Sequence, residues 1–163
     1  MSASNDEFQK VDWPRAGLLR RMAALLYDVF LVAAIWMLLG YTFQLFTGVE
    51  STQIIDGKVV TNPNVDNLLF SLMLLSCIAF YCWFWLKSGQ TLGMLAWRLR
   101  LETLGANTLN LRQALIRWCA AWPSFLFFGI GYIWIFIDKN GDALHDKISN
   151  TKVILLPKSE RPL

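Results

Sequence analysis

Soft metal ligands and soluble helices are what this chain has least of. One histidine, His145, and three cysteines, Cys77, Cys82 and Cys119, stand among 163 residues. Cys77 and Cys82 lie five apart on different faces of a helix, so neither a disulfide nor a metal pair is indicated, and all three thiols are expected to be buried and free. No spaced Cys/His motif, H-E-x-x-H helix or Ser–His–Asp order is present, and no G-x-x-x-x-G-K-[ST] loop. A hydrolase, a metalloprotease and a phosphate-loop enzyme are thereby disfavoured; no enzymatic activity, metal or cofactor is expected. The formal charge of +3 gives no reason to expect nucleic acid as a partner.

Charge is also missing from long stretches. Leu68 to Leu86 and Trp118 to Ile137 carry none, and Met22 to Phe46 carries one, Asp28. Runs of about 20 apolar residues match a hydrocarbon core about 30 Å thick. Three such runs, with no polar helices to cover them, predict an all-α integral membrane protein whose first partner is the lipid bilayer. The first run follows a polar tail and lacks an A-x-A pattern, so it does not read as a signal peptide.

Basic residues give an orientation. Residues 1–21 hold four Lys/Arg and residues 87–117 hold five, whereas 47–66 holds only Lys58 beside Glu50, Asp56 and Asp66. The positive-inside rule places the N-terminus and the 87–117 loop in the cytoplasm of a bacterial inner membrane. The organisation expected is a polar tail over 1–12, a membrane domain over 13–156 and a short tail over 157–163. Within the domain, helices are expected from Leu18 to Phe46 and from Asn67 to Leu86. Ser51–Ile55 and Val59–Thr61 read as an outer hairpin, and 88–93 reads as a loop. A strand over 97–103 and another over 151–156 would make a small cytoplasmic β element. The third hydrophobic segment either crosses once or bends back; only bending lets those strands pair, and Pro123 and Gly129-Ile130-Gly131 are the natural places for a break. Arg112 and Arg117 are expected to snorkel at the inner edge.

Asp28 is the residue to explain. A carboxylate in a membrane helix costs roughly 2.5–3.5 kcal/mol on insertion scales, so it needs a partner, a proton or a task. Arg21, seven residues earlier, shares its face and can hold a carboxylate with a planar fork. Asp146 reads either as a third member of that cluster or as a helix-capping residue, and His145 as a structural or pH-sensing imidazole. Small residues Ala23, Ala24, Ala33 and Ala34 would allow close helix approach, and a homo-oligomer, a dimer, is expected.

Arg21-x-x-Ala24-x-x-x-Asp28, Gly89-Gln90-Thr91-Leu92-Gly93 and Leu144-His145-Asp146-Lys147 followed by Thr151-x-Val153 together resemble the RDD family of membrane proteins, from about Pro14 to Leu156. The family takes its name from one arginine and two aspartates, which would here be Arg21, Asp28 and Asp146. Met94 stands where many members carry a lysine. The resemblance implies a small multi-span protein for which transport, including cation/proton exchange, has been suggested. Two functions follow as expectations. One is exchange of a small cation for protons through Arg21, Asp28 and Asp146. The other is a non-transporting accessory or assembly protein in which the cluster is structural.

Overall fold

The computed structural model describes residues 13–48, 52–55, 58–105, 109–126 and 129–158. The expected polar tail over 1–12, the turns at Asp56-Gly57 and Ala106-Asn107, and residues 159–163 lie outside them.

Two long helices carry the apolar runs. Helix α1 spans Leu18–Thr47 and α2 spans Pro63–Ser88. At 1.5 Å per residue their lengths are about 45 and 39 Å, more than a hydrocarbon core requires. Both are long and apolar enough to cross a membrane. Their surfaces say the same: Leu19 (85% exposed), Phe30, Met37, Leu38 and Phe46 (83% exposed) on α1, and Phe70, Leu75 and Trp83 on α2, have little protein over them. Between the helices, strands β1 (Thr52–Ile55) and β2 (Lys58–Thr61) pair antiparallel with Thr52 opposite Thr61, the hairpin that their β-prone Ile, Val and Thr residues lead one to expect.

The buried side of α1 is a single stripe of Arg21, Ala24, Asp28 and Val32, spaced by three or four residues. Against it lies α3 (Leu92–Ala96), a short helix where a loop was expected. Thr91 makes the difference, because its hydroxyl caps the Met94 N–H at 3.1 Å and so starts a turn of helix inside the Gly-rich motif. Gly89 closes α2 in the left-handed region, at φ 70°, and its carbonyl accepts from Leu101 N–H at 2.7 Å. That bond joins the end of α2 to strand β3 (Leu99–Thr103).

Strand β3 pairs antiparallel with β4 (Thr151–Leu155), Leu99 opposite Leu155 and Thr103 opposite Thr151. Pro14 to Ala16 lies along the other edge of β4: Leu155 N–H donates to Pro14 O at 2.8 Å and Ala16 N–H to Val153 O at 3.0 Å. The stretches before α1, after α2 and at the end of the described chain therefore form one layer. The apolar core sits there, where Ala16, Ala24, Trp85, Met94, Leu99, Leu101, Ala114 and Val153 pack together at one end of the helix pair.

The third hydrophobic segment is not one helix. Helix α4 (Leu111–Leu126) begins with a reciprocal cap, in which Asn110 Oδ1 accepts from Gln113 N–H and Gln113 Oε1 from Asn110 N–H. It contains Pro123 and ends three residues beyond it, so the proline is not the break. Beyond it Gly129 stands in the left-handed conformation at φ 73°, a geometry glycine adopts without penalty. Helix α5 (Ile130–Ile133), a 3₁₀ turn (Trp134–Phe136) and α6 (Leu144–Ile148) follow. Gly131 lies directly against Ser124, where a β-carbon would overlap the serine side chain, so the chain after the turn packs back on α4. Cys119 is exposed on α4, contrary to expectation; Cys77 and Cys82 are buried.

Gly93 sets how closely α3 approaches α1. A β-carbon there would run into the Ala24 carbonyl and lie 2.9 Å from Asp28 Oδ1. Gly93→Ala is expected to lower stability by about 1–3 kcal/mol, whereas Gly40→Ala, with open space around it, should not destabilise. Thermal unfolding of the two variants in detergent measures the difference.

Candidate functional site

Two of the charged residues singled out in the sequence, Arg21 and Asp146, meet in the layer where α1, α4, α6 and β4 converge. Asp146, 0% exposed, sits in the first turn of α6. Its Oδ2 accepts from Arg21 Nη1 and, at 3.0 Å, from the Ala143 N–H. Its Oδ1 accepts from Arg117 Nη1. One carboxylate thus pairs with Arg21 and also caps the start of its own helix, while Asp28 takes no part in the contact. Arg21 completes its hold on the layer by donating Nε–H to Ala16 O at 2.9 Å, and Arg117 donates to Thr151 Oγ1 at 2.9 Å. Thr151 in turn shares a 2.7 Å hydrogen bond with Ser149, whose hydroxyl reaches His145 O.

Arg21 and Asp28 share a face, as their spacing requires, but they are not a pair. Asp28 Oδ2 accepts from the Thr91 hydroxyl and Oδ1 from the Gly93 N–H at 2.8 Å. Two turns of helix separate it from Arg21, and α3 fills the space in front of it with donors. Among the described residues no cation forms a salt bridge with Asp28. Arg117 does not snorkel. It is buried, bonded to Asp146 and Thr151, with its guanidinium 5.4 Å from the centre of the Trp85 ring. The signal that could have marked it is its spacing of three residues from buried Ala114, on the face of α4 that turns toward the tail. Without the tail's position that face has no identity.

In the loop motif, Thr91 and Gly93 both serve Asp28, while Gly89 stands apart and serves the sheet. Gln90 does likewise, donating Nε2–H to Leu99 O at 2.7 Å. Arg21, Asp28, Thr91, Arg117, Tyr132 and His145 border one cavity of about 80 Å³, together with Tyr81, Trp85 and Met94.

Electrostatics divide the tail residues. Burial would raise the Asp146 carboxyl, but Arg117, Arg21 and His145 outweigh it and hold its pKa well below the usual range. Burial, helped by the positive charges of Arg117 and Arg21, pushes His145 from 6.5 down to about 3 despite the carboxylate beside it. The imidazole is neutral at physiological pH, so it is not a sensor near neutrality. Its Nε2 lies 3.5 Å from Asp146 Oδ1 and its ring packs on Tyr132 at 4.7 Å. At the rim, Arg15 Nε donates to Asp142 at 2.9 Å, and burial raises the Asp142 carboxyl against the pull of Arg15. Among the described residues no group of His, Cys, Asp and Glu is placed to hold a metal ion.

Two apolar helices standing on a layer with a buried Arg–Asp–Arg core have the form of a small membrane protein, and among the described residues this charged network lies at one end of the helix pair. The RDD family pattern matches residues 15–150, and the chain belongs to the RDD family. A similar protein is the uncharacterized protein RP437 of Rickettsia prowazekii (strain Madrid E), 33% identical over 90 residues, which cover 53% of this chain and 49% of that one. The chain thus spans about half the length of the curated relative it matches. No solved structure matches.

Removing the Asp146 charge leaves two guanidinium groups buried without a counter-ion. Asp146→Asn is expected to cost roughly 3–5 kcal/mol, read as a fall in unfolding temperature or as loss of folded protein. The His145 shift sets a pH dependence. The unfolded imidazole takes a proton below about pH 6.5 and the folded one does not until about pH 3, so stability falls as pH drops between those values. The slope is about 1.4 kcal/mol per pH unit, roughly 2 kcal/mol from pH 6.5 to 5. Thermal melts across that range, compared with His145→Gln, check it: the variant should lose that part of the slope.

Proposed function

We propose that this RDD protein is a non-transporting membrane accessory or assembly protein, in which the charged cluster clips the tail and its sheet onto the helix pair. One observation carries the reading. Both oxygens of Asp146 are taken by Arg21, Arg117 and the Ala143 N–H, so the carboxylate is committed to joining three elements and its charge is fixed. Arg21 is committed with it and leaves Asp28 to neutral donors. A cation passing the cavity would meet two guanidinium groups on its wall, which repel it.

The accompanying topology is a bacterial inner-membrane protein with N-terminus and tail in the cytoplasm. Pairing of Pro14–Ala16, β3 and β4 supports it, because the basic stretches then share one side and the third segment enters and returns. A thiol placed at Lys158 in a cysteine-free background should react from the cytoplasmic side alone. Dimerisation is compatible with this arrangement, but not through Ala24, which is buried against α3; Ala33 and Ala34 are exposed and available.

A second reading, exchange of a small cation for protons, is favoured by Asp28, a membrane-helix carboxyl that borders the cavity and has no cationic partner among the described residues. Purified protein in sealed vesicles with a pH dye, challenged with Na⁺, K⁺ and Li⁺, separates the two. The accessory reading expects no cation-driven proton flux above protein-free vesicles. Flux that disappears in folded Asp28→Asn would overturn it in favour of exchange.

A further inference from the structure

Three buried nitrogen atoms among the described residues have no hydrogen-bond partner: Arg21 Nη2, Trp85 Nε1 and His145 Nδ1. They come from three different elements, α1, α2 and α6, yet all three residues line the one cavity between Arg21 and Asp28. Each of these residues is more than nine-tenths buried. A buried polar atom left unpaired costs about 1–3 kcal/mol, and three around one cavity point to something that answers them.

Their chemistry narrows what that is. Arg21 Nη2 and Trp85 Nε1 are donors with no acceptor capacity, so each requires an acceptor atom. His145 is neutral, and its Nε2 faces the Asp146 carboxylate, which places the ring proton on Nε2. Nδ1 therefore presents a lone pair and requires a donor. Charge adds a third condition. Arg21 and Arg117 bring two positive charges to the single Asp146 carboxylate that touches them, while Asp28 is turned to Thr91 and Gly93. A cavity of about 80 Å³ exceeds the 10–15 Å³ or so that one water needs and suits a small polyatomic ion.

The geometry points to a binding site for a small oxyanion that carries one hydroxyl, such as hydrogen phosphate or bicarbonate, held by Arg21, Trp85 and His145. Its oxygens accept from Arg21 Nη2–H and Trp85 Nε1–H, its hydroxyl donates to His145 Nδ1, and its charge offsets the second guanidinium. The same group is available from two sources, a free solute or the phosphomonoester headgroup of a lipid. The cavity lies beside the end of α2 and the start of α1, within reach of either. The site goes beyond the accessory reading and does not depend on whether the protein moves cations.

The test uses full-length protein, ¹⁵N-labelled at tryptophan and reconstituted in phosphate-free detergent at pH 7 and constant ionic strength. The Trp85 indole N–H resonance is assigned by its loss in Trp85→Phe. Titrations are run with inorganic phosphate, bicarbonate, short-chain phosphatidic acid and sodium chloride, each paired with a thermal melt. A saturable shift of the Trp85 resonance with phosphate or bicarbonate, with a rise in unfolding temperature, is the expected result for a free ion. The same response to phosphatidic acid alone assigns the site to a lipid headgroup. Binding of either kind should weaken at least tenfold in His145→Phe, which keeps a ring and removes the lone pair. An equal shift with chloride would overturn the hydroxyl-bearing oxyanion. No shift with any of them would overturn the site and leave water as the occupant. Since the wild-type titrations decide between these outcomes, they stand even where a variant fails to fold.

Discussion

A carboxylate with no exposure to solvent holds this protein's two halves together. Asp146 lies between Arg21 of α1 and Arg117 of α4, and it also caps the helix that carries it. Three charges without water would be a liability if any were missing, because each lone buried charge carries a desolvation penalty of several kcal/mol. Complete, they demand that α1, α4 and α6 meet at one point. Arg21 and Arg117 each reach a second partner in the layer, Ala16 and Thr151, which ties the Pro14–Ala16 stretch and β4 to that convergence. A hydrophobic contact at the same place would tolerate sliding; a carboxylate with directional bonds does not.

The remainder of the molecule obeys a different economy. Beyond the layer α1 and α2 bury few residues, and their outward faces are apolar. In water such faces would be a severe liability, whereas in hydrocarbon they need no cover. Specific packing is thus concentrated at one end, where the chain leaves the helices, and that is also where glycine is needed. Gly93 lets α3 touch α1, and Gly131 lets the returning chain touch α4. The Gly-rich motif is a piece of packing geometry whose threonine and backbone N–H also satisfy Asp28.

Separating Asp28 from Arg21 changes the chemistry of the site. An Arg21–Asp28 pair would have been one neutral unit in the membrane. Instead the arginine is drawn into the tail's network and the aspartate is answered by hydroxyl and amide groups. One cavity is left, bordered by the guanidinium groups of Arg21 and Arg117 and by the carboxyl of Asp28. Family membership is secure over residues 15–150, and it carries no substrate with it.

The sequence by itself determined the long apolar helices and the β-prone hairpin, and it marked the two late strands without deciding that they pair, because hydropathy and alternation are local properties whereas pairing depends on the third segment turning back. It also placed Arg21 and Asp28 on one face, since helical periodicity is local too. It offered Pro123 beside Gly129-Ile130-Gly131 as a place for the break, read the end of the loop motif as irregular where Leu92-Gly93 open a helix, and took Arg117 as an edge anchor. Each error has one cause. A proline near a helix end, a threonine cap and an arginine at an interface acquire their roles from what lies opposite them. Only the tertiary structure decided that Arg117, 29 residues before Asp146, shares its carboxylate with Arg21, 125 residues before it. Partner choice among buried charges depends on which elements converge, and no spacing along the chain encodes that.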